Sequence, residues 1–309
     1  MNKNKYHLAQ FSISLARYSF SDEKMQGFVS RLTEINELAD KSQGFIWRLK
    51  SDDGNSTSFR GYSDPNIYLN LSVWDSIENL REFVFKSNHV ELFRKGKTWF
   101  HNLNGPITAL WWIKEGEIPT IEDGISRLES IKNLGPTSWA FNFKTNYSPE
   151  AIESNNILTK CKKEVDDLHD FLQQWFQGEI SNTSENRELL SSRFDQFGEL
   201  LSPDGLIEPF HCLENRFNSA HGKFLNAKIW ITGFTPVLLN NKDILVKYTE
   251  WRQVDGETNV RFTTALLSEK NKAPNGIVWK HIHETWSDVN NLKSPAPYAT
   301  PESPSLEEA

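Results

Sequence analysis

The residues best suited to chemistry lie in one short segment near the C-terminus, Trp279–Trp286. The segment alternates strictly, which predicts a single β-strand. Side chains two apart on a strand point to the same face, so His281 and His283 are expected side by side, together with Trp279. Two such histidines could be metal ligands, an acid/base pair or polar groups on a pocket wall. The other interpretation is a strand whose histidines are hydrogen-bonded and take part in no chemistry.

A charged pair is predicted on the two strands before this segment. Asp255-Gly256 is a favoured two-residue hairpin turn. Counting back from the turn pairs Glu250 with Arg261, and alternation places Tyr248 and Arg252 on the same face as Glu250. A Glu opposite an Arg either stabilises the sheet or forms a positioned charge pair in a pocket.

These residues together could form an acid/base site. His281 or His283 could act as a base near neutral pH, with Arg261 stabilising a developing enolate. A metal would need a third ligand, and neither Glu250 nor His221 lies at a recognisable metal-binding spacing. No metal and no cofactor are therefore expected.

The elements around these residues can be predicted from periodicity. In the C-terminal half, two helices, a short helix and four strands are expected over residues 159–176, 185–201, 210–222, 227–235, 244–254, 257–268 and 277–286. His169 lies beside the apolar stripe of the first helix and is expected at the edge of the core. The N-terminal half has the order strand, helix, strand, strand, helix, strand, followed by a third helix over 119–133, and this order is typical of a ferredoxin-like βαββαβ domain.

The third N-terminal strand, Ile67–Trp74, has two different faces. One face is aliphatic and suits packing under helices. The other carries Tyr68, Asn70, Ser72 and Trp74, which suit a ligand cavity or a subunit interface, on the face that a ferredoxin-like sheet leaves open.

Length and composition suggest two domains and exclude several partners. A chain of 309 residues exceeds the usual single domain. The net charge of -7 argues against nucleic acid and anionic membranes as partners. The N-terminus lacks the apolar core of a signal peptide, no run approaches the roughly 18 apolar residues of a membrane span, and only two cysteines occur. A soluble cytoplasmic protein is expected, with domains over 1–145 and 159–289, a linker over 146–158 and a disordered tail over 290–309.

The N-terminal half resembles an uncharacterised bacterial family of the antibiotic-biosynthesis-monooxygenase-like superfamily. The segments that carry the resemblance are His7–Gln10, Gly44–Leu49, Asn70–Trp74, Ser87–His89 and Trp111–Trp112. The resemblance implies a dimeric α+β barrel whose cavity binds polyketide quinols or haem. It implies that Asn70, Trp74 and His89 position a substrate, with His7, Gln10, Tyr68 and Ser72 as further binding residues. The alternative is that these residues fill a dimer interface.

The C-terminal half resembles the SnoaL-like and nuclear-transport-factor-like cone fold, an α+β fold with a curved antiparallel sheet. The segments that carry this resemblance are Glu164–His169, Trp175, Tyr248–Glu250, Arg261–Thr264 and Trp279–Trp286. The resemblance implies that the concave face of the sheet lines a pocket, with Glu250, Arg261, His281 and His283 facing inward.

The expected protein is thus a two-domain α+β homodimer that binds a small, partly apolar, polyketide-like molecule. Two reactions are candidates. One is cofactor-independent oxygenation beside Asn70, Trp74 and His89, and the other is acid/base isomerisation by His283, His281, Glu250 and Arg261, with Tyr248 as a binding residue. The alternative from another class is a non-catalytic ligand-binding or oligomerisation module.

Overall fold

The chain divides into two compact units, residues 1–154 and 155–309. The computed structural model describes residues 6–52, 54–59, 61–62, 64–86, 96–150 and 156–288. The division falls inside the segment 146–158 that was expected to be a linker. The predicted tail at 290–309 and the predicted binding residue His89 lie outside the described residues.

The described residues of unit 1 form one five-stranded sheet and three helices of ten or more residues. The strands are β1 Tyr6–Ala16, β2 Phe45–Arg48, β3 Ile67–Trp74, β4 Phe100–His101 and β5 Thr108–Lys114. The helices are α1 Gln26–Asp40, α2 Ile77–Lys86 and α3 Ile121–Leu134. The strand order is β2-β3-β1-β4, and β5 also pairs with β1; all pairs are antiparallel. The second helix was predicted to reach about residue 100; α2 is described to Lys86, residues 87–95 lie outside the described ranges, and residues 96–99 are helical.

Helices of the same chain cover both faces of the unit 1 sheet. On one face, Phe28 of α1 contacts Tyr68 with ring centroids 6.0 Å apart, and Phe83 of α2 stacks on Trp74 at 5.1 Å. On the other face, Gly124 of α3 lies against Phe11 of β1. The expectation that the aromatic face stays open is wrong, because its rings match the apolar stripes of α1 and α2.

Unit 2 contains one six-stranded sheet with three helices. The helices are α4 Ile157–Gln177, α5 Ser184–Ser191 and α6 Phe210–Ala220. The strands are β6 Phe194–Leu201, β7 Ile207–Pro209, β8 Lys228–Asn240, β9 Asp243–Val254, β10 Glu257–Glu269 and β11 Ile277–Ser287. The order is β7-β6-β11-β10-β9-β8, and only the β6–β11 pair is parallel. The predicted α+β class with antiparallel sheets is confirmed, whereas the ferredoxin-like domain and the dimeric barrel stay predictions.

Local sequence signals explain several boundaries in unit 2. The Asn156 side chain accepts a hydrogen bond from the Leu158 amide at the start of α4, and Gly178 ends this helix with a left-handed φ of 79°. Asp255 and Gly256 have φ values of 51° and 87° in the β9–β10 hairpin, as the predicted two-residue turn requires. No helix in the described ranges is long and apolar enough to cross a lipid bilayer.

The helix predicted over residues 185–201 is wrong beyond Ser191. Residues Phe194–Leu201 instead form β6, which pairs in parallel with β11. Gly198 permits this packing, because a Cβ there would lie 2.5 Å from the Phe210 ring and 2.6 Å from the Lys280 carbonyl oxygen. The partner strand is about 80 residues away in sequence, so the local pattern carries no sign of it.

Candidate functional site

A cavity of about 430 Å³ lies in unit 2 between the sheet and helices α4 and α6. The sheet contributes most of its polar and charged side chains: Tyr248, Glu250, Arg252, Arg261 and Glu284. The helices and β6 contribute mainly apolar side chains: Leu168, Leu172, Phe176, Phe194, Leu200, Leu213 and Phe217. His169 of α4, Arg216 of α6 and Lys223 add further charge to the lining. The cavity therefore has a charged side and an apolar side.

Four ionisable side chains form a continuous row across the charged side. Arg261 of β10 lies 3.1 Å from Glu284 of β11 and 3.8 Å from Glu250 of β9, measured from its Nη1 atom to the carboxylate oxygens. His169 Nε2 lies 3.4 Å from the other oxygen of Glu250. The predicted strand pairing of Glu250 with Arg261 is confirmed. The row alternates in sign, so each carboxylate has a cation beside it.

His169 is held in its charged form by this geometry. Its Nδ1–H donates to the Val165 carbonyl oxygen at 2.6 Å, one helical turn earlier. Its Nε2 therefore needs a second proton to donate to the Glu250 carboxylate. Burial by itself lowers the pKa of His169, but the hydrogen bond and charge of Glu250 and the Val165 carbonyl outweigh it, so the pKa is raised. The histidine thus belongs to an ion pair and is not a free base.

The two carboxylates of the row have different pKa values. Burial raises the pKa of Glu250, but Arg261 and His169 outweigh it and lower the pKa to about 2. Burial, followed by the neighbouring charge of Glu250, raises the pKa of Glu284 despite its contact with Arg261. Glu250 is therefore ionised over the whole range in which proteins are handled, whereas Glu284 protonates more readily.

Arg252 of β9 lines the cavity and differs from Arg261 in its partners. Its guanidinium lies over the rings of Phe176 and Phe224, 4.8 and 4.9 Å from their centroids. Within the described part of the chain, no carboxylate lies within 4.0 Å of it. Burial, and then the charge of Arg261, lower the pKa of Arg252. The two rings hold a cation in the cavity wall and leave its hydrogen-bond donors for another partner.

The predicted positions of His281 and His283 are wrong. Leu267 pairs with Trp279, but Leu266 pairs with His281, so Lys280 is an extra residue that forms a β-bulge. The bulge reverses the alternation, so that Trp279, Ile282 and Glu284 line the cavity. The two histidines lie on the opposite face, where His281 Nδ1 is 3.4 Å from Glu199 and His283 is exposed.

Three predicted residues do line the cavity, whereas Arg252 and His169 were missed. Tyr248, Glu250 and Arg261 are together as expected. Arg252 could have been chosen from sequence, because alternation already places it on the face of Glu250. The contact between His169 and Glu250 joins residues 81 positions apart, and no local pattern indicates it. In the described residues, no group of three or more His, Cys, Asp or Glu side chains could hold a metal ion.

The residues predicted as a site in unit 1 are mostly buried and bonded to one another. Ser72 donates to the Gln10 side-chain oxygen at 2.8 Å, and Trp74 Nε1 donates to Ser72 at 3.0 Å. The Ser56 hydroxyl donates to the Tyr68 hydroxyl at 3.1 Å. Two further predicted residues, His7 and Asn70, are half-buried. These bonds satisfy polar groups inside a core, and a substrate-binding role for any of these residues stays a prediction.

Two family models match the chain, one in each half. A domain of unknown function (DUF3291) matches residues 7–157. The C-terminal part of sucrose-6-phosphate phosphohydrolase matches residues 161–288. The residue patterns above did not indicate the second family. The monooxygenase-like resemblance of the N-terminal half is not shown by these matches and stays a prediction.

The chain is also similar to plant sucrose-phosphatases and to a solved structure. Sucrose-phosphatase 2 of Nicotiana tabacum is 27% identical over 173 residues, which cover 53% of this chain and 38% of that protein. Sucrose-phosphatase 1 of the same plant is 27% identical over 156 residues, covering 47% and 36%. The chain spans little more than a third of the length of these relatives. An NTF-2 like protein of unknown function from Pseudomonas aeruginosa is 19% identical, with a TM-score of 0.39, covering 42% of this chain and 99% of that one. The C-terminal half is therefore similar in sequence to the C-terminal part of sucrose-phosphatases.

Proposed function

We propose that unit 2 binds a small organic anion in the 430 Å³ cavity, with Arg252 as its anchor. The observation that carries this proposal is the position of Arg252 against the rings of Phe176 and Phe224, with no carboxylate at ion-pairing distance in the described residues. A guanidinium offers planar, paired N–H donors that match carboxylate and phosphate groups. Arg252 is half-buried in the cavity wall, and a bound anion would supply the close ion-pair partner that it lacks among the described residues.

The charge balance of the lining supports an anion. Four Arg and Lys side chains line the cavity against two Glu side chains. Both carboxylates are neighbours of Arg261 in the charged row, and Arg216 is paired outside the row with Glu208 at 3.0 Å. Arg252 and Lys223 remain as a local positive excess in a chain whose net charge is -7. Such an excess favours anions over neutral or cationic ligands.

Binding, and not catalysis, is the activity assigned to this cavity. His169 is held in an ion pair, and His281 and His283 lie on the other face of the sheet. The matching family description names a phosphohydrolase, but the matching part is C-terminal and the chain spans about a third of the relatives. The name does indicate one compound to test, sucrose 6-phosphate, which carries the required anionic group.

Isothermal titration of the full chain with inorganic phosphate, sucrose 6-phosphate and sucrose tests the proposal. Arg252→Gln should weaken phosphate and sucrose 6-phosphate binding by at least about tenfold, since a hydrogen bond to a charged group contributes about 1.5–3 kcal/mol. Lys247→Gln is the matched control, because Lys247 is exposed on the opposite face of β9. Equal anion affinities for the wild type and Arg252→Gln would exclude Arg252 as the anchor.

For unit 1 we propose only a fold, the ferredoxin-like one expected from the element order. The strand order β2-β3-β1 with β5 on the other side of β1 supports it. The contacts of α1 and α2 with the same sheet face support it as well. Backbone-resolved NMR of residues 1–154 tests the strand order independently.

A further inference from the structure

A second, smaller cavity of about 210 Å³ lies beside the first, among α5, α6 and β6. Its walls are largely aliphatic and aromatic: Leu190, Phe194, Phe210, Leu213 and Phe217. Arg187, Asp195, His211 and Glu214 add charged and polar atoms to the lining. An apolar cavity of about 150 Å³ is large enough to hold benzene, so this one has room for a ring or a short alkyl chain.

The two cavities share part of their walls. Phe194, Leu213 and Phe217 line both of them. Phe194 and Phe217 are stacked with their ring centroids 6.3 Å apart, and both are only half-buried. The residues that line both cavities are therefore all apolar.

The two cavities differ in the polarity of their linings. The sheet end carries Arg252, Arg261 and the two carboxylates, and the apolar side chains of α4 and α6 follow. The second cavity continues this apolar side, away from the charged row. A ligand that fills both spaces needs a charged head and an apolar body, and a hydroxyl-covered body would lose hydrogen bonds to water against these walls.

We infer that the ligand of unit 2 is an amphiphilic acid, whose anionic group pairs with Arg252 and whose alkyl or aryl arm enters the second cavity past Phe194 and Phe217. This inference rests on the proposed anion-binding function and names the class of its ligand. The rival anion is a polyol phosphate such as a sugar phosphate. It shares the charged head but not the apolar arm.

A chain-length series tests the inference in the full-length protein. Isothermal titration with unbranched carboxylates from acetate to octanoate should show affinity rising about threefold to fourfold for each added methylene that enters the second cavity. Leu190→Phe and Ser191→Trp should remove that gain for the longer acids, because both positions line the second cavity only. Acetate binding should stay unchanged in both variants.

A neighbouring position supplies the control for these variants. Ser192 follows Ser191 directly, is exposed and is absent from both cavity linings. Ser192→Trp should therefore retain the whole chain-length gain. If Leu190→Phe does not fold, the chain-length series with the wild-type protein still tests the inference.

The outcomes separate the inference from the function on which it rests. If the affinity does not rise with chain length, while acetate and phosphate still bind through Arg252, the ligand is not an amphiphilic acid. The proposal of anion binding then still stands. Binding of sucrose 6-phosphate more tightly than octanoate would assign the ligand to the polyol class. Absence of binding for every anion, or equal binding by Arg252→Gln, overturns both proposals.

Discussion

His169 and Arg252 are two cations in the wall of one cavity with different partners. His169 is paired with Glu250 at 3.4 Å, whereas Arg252 lies against two aromatic rings. We infer from this difference that His169 stabilises the unit, whereas Arg252 is available to bind a ligand. The residue type alone does not show whether a cation is paired within the protein or available for a ligand. His281 and His283 were chosen from sequence by residue type.

The His169–Glu250 pair predicts a pH-dependent stability. The pKa of His169 is raised above its ordinary 6.5, so its contribution is full below about pH 6.5 and is lost as the pH rises through the folded-state value. The Glu250 pKa is lowered to about 2, so its contribution is full above about pH 4.5 and is lost as the pH falls toward 2. The pair therefore stabilises most between about pH 4.5 and 6.5.

His169→Gln should consequently lower the urea midpoint of unfolding more at about pH 5.5 than at about pH 9, because the raised pKa makes the contribution of the imidazolium fall as the pH rises. Tyr248 and Trp279 also contact the imidazole, with ring centroids 5.6 and 6.4 Å away, but neither titrates in this window. His283→Gln, on the exposed face, should change little at either pH. An equal loss for His169→Gln at both values would contradict the charged pair.

Among the secondary-structure elements, β6 and the bulge in β11 determine which side chains line the cavity. β6 pairs in parallel with β11 and brings Phe194 and Leu200 to the cavity. The bulge at Lys280 then selects which face of β11 points inward. β6 approaches α6 and Lys280 of β11 closely at Gly198.

Gly198→Ala should destabilise unit 2 by about 1–3 kcal/mol, the usual cost of overpacking. The added methyl group would meet the Phe210 ring and the Lys280 carbonyl, and a backbone atom in a paired strand cannot move away easily. Urea unfolding monitored by circular dichroism measures the loss. Phe197→Ala is the adjacent control, since Phe197 is 88% exposed and its removal should change stability by less than about 0.5 kcal/mol. Two variants of equal stability would show that the approach at Gly198 is not tight.

At the scale of the whole molecule, each unit has its own sheet and its own helices, and the proposed site belongs to one unit. Every residue that lines the two cavities lies between Leu168 and Glu284. In unit 1, α3 covers the apolar sheet face, so a dimer built by pairing two such faces would have to displace this helix. The homodimer implied by the resemblances stays a prediction, which native mass spectrometry of the full chain tests.

The fragment 155–309 should fold alone and bind anions with the affinity of the full chain, because it contains the complete lining. Circular dichroism reports its folding and isothermal titration with phosphate its binding. Loss of binding in a folded fragment would show that unit 1 takes part in the site.

The sequence by itself determined the features that depend on neighbours along the chain. Alternation placed Tyr248, Glu250 and Arg252 on one face, and the Asp255-Gly256 turn set the pairing of Glu250 with Arg261. These signals are reliable because a strand has a period of two and a tight turn fixes the register of both its strands.

The tertiary structure alone decided which faces meet and which side chains pair. The second part of the helix expected over 185–201 is the strand Phe194–Leu201, because β11, far along the chain, offers a hydrogen-bonding edge. The bulge at Lys280 turned His281 and His283 outward, and α4 brought His169 to Glu250. In each case the favourable free energy comes from burial and pairing between distant residues, and it exceeds the weak local preferences that a sequence pattern expresses.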